Sequence, residues 1–261
     1  MTRALIFGTG SIGIMCAMIL HPKERGFKVD STIFGKETFR TSVVRLVSEV
    51  VSDDHIFDFV IKTALVLMQN GIGIEEVYHK AFPGNVILSA VVYMPTVEIE
   101  PGVVLHQEIE IIHIDGGTAV ADEDVQVERW KKLVANAVWN PVCALTRCID
   151  IQFLKTSDAS RGFIREAMAE VVKVAAAIGY RGRIGLDTVH MQMDRAESRA
   201  SPGVRRSMMM DMSMGRRMEV QTVIGEVVRL GHEYKISIPR LEALHVLLVG
   251  LDWALGDASS K

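Results

Sequence analysis

Between Glu128 and Pro141 the chain reads ERWKKLVANAVWNP, and at helical spacing Lys132, Asn136 and Asn140 fall at i, i+4 and i+8. One ammonium and two side-chain amides would then share a helix face. An ammonium donates protons, and an amide both donates to and accepts from a neighbouring oxygen or nitrogen. The flanking Trp130, Leu133, Val134, Ala137 and Val138 are apolar enough to bury this helix. Polar groups on such a helix need partners, because burying them unpaired is costly. Two readings meet that demand. In one, Lys132 reaches solvent and both asparagines bond to nearby backbone; in the other, a polar seam or a ligand receives all three.

Three further clusters have residue types suited to chemistry. Gly8-Thr9-Gly10-Ser11-Ile12-Gly13 follows the apolar run Ala4 to Phe7 and precedes the helix-length apolar run Ile14 to Leu20. A G-x-G-x-x-G between a strand and a helix is the dinucleotide-binding context. Gly8 permits the tight turn, Gly10 admits a pyrophosphate to the backbone, and Gly13 lets helix and strand pack closely. Gln69-Asn70-Gly71-Ile72-Gly73 forms a turn between a strand and the helix-like stretch Ile74 to Phe82. Taken alone it is an ordinary Asn-Gly turn. Ser207 and Glu219 frame a methionine-rich segment, and in one straight helix they would lie about 18 Å apart on different faces. Gly215 can break that helix, with Glu219 in the first turn of a new one and both residues serving one pocket. The methionines, at helical spacing and with no Cys or His beside them, read as core filling.

The elements that must position these residues divide the chain in two. An α/β, Rossmann-like domain is expected over residues 1–120 and an all-helical domain over residues 121–261. Val86 to Val92 and Val103 to Ile114 read as strands with Pro101-Gly102 as a turn between them. Ile56 to Met68 is strand-like without a turn or helix, too short for two parallel neighbours with their crossover. In the second half, Phe163 to Ile178 has amphipathic helix spacing with Gly179 as a stop, and a second helix runs from about Thr188. Ser201-Pro202-Gly203 breaks it, and a last helix spans Arg240 to Leu255 after Pro239.

Composition excludes several classes. With 49% hydrophobic and 23% charged residues the chain is a soluble globular protein with a sizeable core. A net charge of -3 provides no field for nucleic acid or an anionic membrane. Three cysteines, Cys16, Cys143 and Cys148, form no CxxC pair, and the eight histidines have no metal-ligand spacing. No apolar run approaches a membrane span, and no secretory signal pattern opens the chain. A reducing, cytoplasmic compartment is the expectation.

The string W-K-K-L-x-x-N-x-x-x-N-P resembles the central helix of the ketopantoate reductase (2-dehydropantoate 2-reductase) family. The segment S-M-x-x-D-x-x-x-G-R-x-x-E, from Ser207 to Glu219, is similar to that family's substrate motif, and Gln69 to Gly73 is similar to its loop beside the nicotinamide. The resemblance implies Lys132 as general acid and Glu219 as the carboxylate bonded to the oxygen at the reacting carbon. It further implies Asn136, Asn140 and Ser207 around the substrate, with Asn70 and the Gly8 to Gly13 loop holding NADPH. The reaction would be reduction of 2-dehydropantoate to pantoate for coenzyme A synthesis, by a protein that can form a homodimer through its helical domain. Two positions depart from the family pattern: Met218 and Val204 stand where relatives often carry threonine and asparagine.

The resemblance also bears on Asp30. Its spacing after the glycine loop suggests a ribose ligand and hence NAD. Yet GFKVDSTIFGKETF, residues 26–39, resembles a strand-rich insert that family members carry further along, which makes Asp30 an exposed residue of that insert. The strand bearing the 2'-phosphate reader would then be missing, as would a second block near Ile56 to Met68. Two alternative functions follow: a reductase for another 2-keto acid, or a non-catalytic relative acting as a dimerising protein.

Overall fold

The computed structural model describes residues 27–31, 35–39, 65–93, 96–100, 103–106, 111–114 and 125–258. The Gly8 to Gly13 loop and most of the stretch Ile56 to Met68 lie outside the described residues. Two compact units are present, one containing residues up to 68 together with 77–122, the other 69–76 together with the chain from 123 onward.

All described strands belong to the first unit. β1 (Phe27–Ser31) pairs antiparallel with β2 (Gly35–Phe39) and parallel with β6 (Val103–His106), which in turn pairs antiparallel with β5 (Thr96–Glu100). A second sheet has the order β3-β4-β7, from β3 (Leu65–Leu67), β4 (Ile87–Tyr93) and β7 (Ile111–Ile114). β4 is its central strand, parallel to β3 and antiparallel to β7. Its run ILSAVVY has Ala90, Val91 and Val92 buried, as a strand covered on both faces requires. Residues 27–31 and 35–39 therefore do supply strands, and Asp30 sits within β1 opposite Lys36 and Leu105. The apolar stretch Val103 to Ile114 is not one strand: β6 and β7 fall in different sheets. One apolar run can serve two sheets because strand propensity does not encode a pairing partner.

Helix α1 (Glu75–Ala81) follows β3 in the chain, and the described residues from 125 onward form helices and their connections. α2 (Val125–Thr146) is longer at both ends than the expected stretch and passes through Pro141. An interior proline costs a helix about 3 kcal/mol, and burial of nearly every face of α2 offsets it. Trp130, Leu133, Val134, Ala137 and Val138 are all buried, as their spacing predicts.

Around α2 pack α4 (Asp158–Ala175), α5 (Leu186–Glu197), α6 (Ser207–Ser213) and α8 (Pro239–Ala258). Short α3 (Asp150–Leu154) and α7 (Glu226–Glu233) complete the unit, with π-turns at Ala176–Tyr180 and Gln221–Gly225. The core joins Trp130 and Trp139 of α2 to Ile164 and Met168 of α4, Met193 of α5, Met208 of α6 and Leu241 of α8. Met209, Met210, Met212 and Met218 are buried too, so the methionine-rich segment fills the core as its spacing predicts. Unbranched thioether side chains suit the irregular gaps between short helices.

Two buried carboxylates tie the helices together. Glu170 of α4 accepts from the backbone N–H groups of Arg240 and Leu241, at 3.0 Å each, and so caps the start of α8 from outside. Asp150 is fully buried at the head of α3. It holds the guanidinium groups of Arg199 and Arg206, both at 2.9 Å, and the Val204 N–H at 3.1 Å. Arg206 also stacks over the Trp139 ring, 5.7 Å from its centre.

Replacing Asp150 by Asn would leave two largely buried cations without their shared anion. The expected cost is about 3 to 5 kcal/mol, read as a lower denaturant midpoint for the helical unit.

Candidate active site

Lys132 lies on α2 two turns past the helix start at Val125, and its ammonium donates to Asn70 Oδ1 at 2.8 Å. Asn70 Nδ2 in turn donates to Glu219 Oε2 at 3.1 Å. One amide thus links the cation to the carboxylate, although the three residues are far apart in the chain. Burial pushes the Lys132 pKa down to about 8. The nearby Glu219 carboxylate pulls it up, while the Arg129 and Arg195 guanidinium groups push it further down. Desolvation wins because removing a small, strongly hydrated ammonium from water costs more than a neighbouring anion returns.

The turn presenting Asn70 belongs to the helical unit and is held from two directions. Arg129, one helical turn before Lys132 and only 3% exposed, donates to the carbonyls of Gln69 at 3.3 Å and Gly71 at 2.9 Å. On the other side the turn presses against the helix that follows Glu219. A Cβ at Gly71 would stand 2.4 Å from the Thr222 carbonyl oxygen, and φ at Gly71 is +97°. Only glycine meets both conditions. The close approach at Thr222 is what brings Asn70 beside Glu219.

Glu219 is delivered by a non-helical segment. α6 ends at Ser213, Gly215 takes a φ of +67°, and residues 216–219 run without helix. Asp252 of α8, itself buried, accepts from the Met218 N–H at 2.7 Å and pairs with Arg217 Nε at 2.8 Å. The Glu219 carbonyl accepts from the Val223 N–H at 3.2 Å, so Glu219 stands just before the first helical turn rather than inside it. Gly215 does interrupt the helix where the sequence places the break. Met218 takes no capping role; its side chain is buried and its N–H is satisfied by Asp252.

The remaining polar residues of the sequence pattern are placed on neighbouring surfaces. Asn136 is half-buried one turn after Lys132, and Asn140 is 3% exposed a further turn on. Ser207 is exposed at the first position of α6, which packs on α2. The structure thus joins Lys132, Asn70 and Glu219 by hydrogen bonds and carries Asn136, Asn140 and Ser207 on the two packed helices. Val204 is buried, with its N–H on Asp150, and presents no polar group where relatives often have asparagine. Sequence reasoning missed Arg129, Arg195 and Asp252. Arg129 carried a readable signal: a guanidinium between Val127 and Trp130, on a helix whose flanks are apolar.

Among the described residues no group of His, Cys, Asp and Glu could hold a metal ion. None of the described helices is long and apolar enough to cross a membrane. A withdrawn lysine joined through an amide to a carboxylate can donate a proton to an oxygen that gains charge during reaction.

Comparison with known proteins identifies the family. The family model described as ketopantoate reductase PanE/ApbA matches residues 54–117, and that described as ketopantoate reductase PanE/ApbA C terminal matches residues 124–252. The chain belongs to the ketopantoate reductase family, with an α/β nucleotide-binding domain followed by a helical domain. The 2-dehydropantoate 2-reductase of Mesorhizobium japonicum is 26% identical over 62% of this chain, a match spanning about half, 54%, of that relative. The crystal structure of 2-dehydropantoate 2-reductase from Methylococcus capsulatus is 27% identical, with a TM-score of 0.76 over 95% of this chain and 96% of that one. D-mandelate dehydrogenase, solved with NADH and anilino(oxo)acetate, shares the fold at 18% identity and a TM-score of 0.76, over 95% of this chain and 98% of that one.

Gly71→Ala is expected to separate Asn70 from Glu219, because the new methyl and the Thr222 carbonyl cannot share one space. Thermal unfolding should move down, and hydrogen exchange should rise at residues 69–73 and 219–223 while the core of α4 stays protected.

Proposed function

We propose that this protein reduces a 2-keto acid to its 2-hydroxy acid with NADPH, and that the substrate is 2-dehydropantoate, giving pantoate. The observation that carries this reading is the Lys132–Asn70–Glu219 chain of hydrogen bonds on a buried helix. Reduction of a carbonyl creates an alkoxide, which must receive a proton as it forms. A lysine with a pKa near 8 is still an ammonium at neutral pH, yet releases its proton more readily than an exposed one. Lys132 is the donor, and Glu219 orients the substrate oxygen. Asn140 and Ser207 hold the carboxylate end, and Asn136 steadies the lysine.

The Gly8 to Gly13 loop and Asn70 are the residues that would hold the dinucleotide, and a bound nicotinamide supplies the hydride. Asn70 suits that place on the observed geometry. It stands between glycines 71 and 73 and residue 69, in a turn where two positions have positive φ and carry no side chain to obstruct a ring. Family membership supports the cofactor class, and the substrate choice rests on the residues named.

NADPH titrated into the purified protein, with NADH alongside, tests the cofactor; consumption of NADPH on adding 2-dehydropantoate tests the reaction. Binding without turnover would direct the search to other 2-keto acids. A folded protein that binds neither nucleotide would overturn the reading and leave a non-catalytic relative. Lys132→Met is expected to lower kcat about 100-fold or more, the usual worth of a positioned proton donor.

The pH dependence has a definite sign. Reduction needs the ammonium, so its rate falls as pH rises through about 8, whereas oxidation of the hydroxy acid needs the neutral amine and rises there. Stability follows the same group. Between about 8 and the ordinary value of 10.5 the unfolded chain binds more protons than the folded one, so folding becomes more favourable as pH increases across that window.

The partner we propose is a second copy, seated on α8. Val246 is 68% exposed, Leu247 60% and Trp253 68%, and with Gly250 between them they form a stripe at helical spacing. A Cβ at Gly250 would meet nothing within 4 Å. That gap lets two antiparallel α8 helices cross closely, with Leu247 of each copy facing Trp253 of the other. Light scattering should show a dimer, and Trp253→Glu should give a folded monomer; a monomeric parent would sink the idea.

A further inference from the structure

We infer that Arg129 is the positioning residue of this site, holding the turn that presents Asn70 to Lys132 and Glu219. The inference rests on the reading of Lys132 as proton donor. Its geometric basis is the guanidinium fork. One nitrogen of Arg129 reaches the carbonyls on both sides of Asn70, at 3.3 Å to Gln69 and 2.9 Å to Gly71. The other lies 3.2 Å from Glu75 Oε1, at the head of α1. Gln126, on the turn of α2 before Arg129, donates to the same Glu75 oxygen at 3.0 Å. Both ends of the segment 69–75 are therefore fastened to the first turns of α2, the helix that carries Lys132.

Fastening at two carbonyls and a carboxylate demands a planar group with several donors in fixed directions. Lysine, a single point charge on a flexible stem, cannot reproduce it. The arrangement has a second effect through charge. Among the described residues Glu219, Arg129 and Arg195 act on Lys132 through charge, with Glu219 favouring the ammonium and both arginines opposing it. Arg129 is buried, so water screens it little. Glu75 pairs with the far end of the fork, so Arg129 holds the turn on one side while its charge lowers the Lys132 pKa on the other.

Arg129→Lys and Arg129→Met, made in the full chain, separate the two effects. The lysine variant keeps the charge and loses the fork. Expected are a displaced Asn70 side-chain amide resonance in 15N NMR, a Lys132 titration midpoint near its parent value, and a kcat about 10-fold to 100-fold lower with KM little changed. The methionine variant loses both, and its Lys132 midpoint, followed by the 13Cε resonance and assigned with Lys132→Met, should move up from the parent value. Should Arg129→Met fail to fold, the lysine variant still decides the matter.

An Arg129→Lys protein with parental kcat and an unmoved Asn70 amide would overturn the inference, as would a folded Arg129→Met protein with an unmoved Lys132 midpoint. The two resonances report whether or not 2-dehydropantoate is turned over. If the parent is inactive and both resonances respond, the positioning role stands and the proposed reaction falls.

Discussion

A lysine on a helix packed on nearly every side needs a polar route out of the core, and Asn70 provides it. Its amide accepts from Lys132 and donates to Glu219, so cation and carboxylate are coupled without touching. A direct ion pair would hold the ammonium in its charged form and raise its pKa. Interposing a neutral amide weakens that pull, and desolvation then prevails. Much of the helical unit can be understood as the support this linkage requires.

That support runs through long-range contacts in sequence. Glu170 of α4 caps the start of α8, and Asp252 near the other end of α8 captures Arg217 and the Met218 N–H. The segment between Gly215 and Glu219 is thereby placed from outside, so that Glu219 meets Asn70. On the opposite side Arg129 and Gln126 fasten the turn that carries Asn70. The site residues come from a turn, a long helix and a non-helical segment, each held by a charged or polar side chain from another element. Charge-assisted bonds of this kind are strong and directional where water is scarce.

Asp150 orders a second segment in a comparable way. Its carboxylate gathers Arg199, Arg206 and the backbone at Val204, which sets the entry into α6 and so the place of Ser207. Gly203 is required there because a Cβ would stand 2.4 Å from the Asp150 carboxylate oxygen. The backbone around the departing residue Val204 is therefore ordered by a buried ion network, while its own side chain joins the core.

From the sequence alone, helix α2 and its buried flank were readable, as were the break at Gly215, the strand β4 and the helical character of the second half. These follow from local periodicity and from glycine and proline, which act within a few residues. The family resemblance brought Lys132, Asn70 and Glu219 together as an expectation. Tertiary structure alone decided how they meet: through partners 62 and 149 residues apart, on bonds whose geometry no local pattern carries. It also decided the roles of Arg129 and Asp252, the division of Val103 to Ile114 between two sheets, and the passage of α2 through Pro141. In each case the deciding energy is a contact between distant segments, and only the folded chain brings those segments into reach.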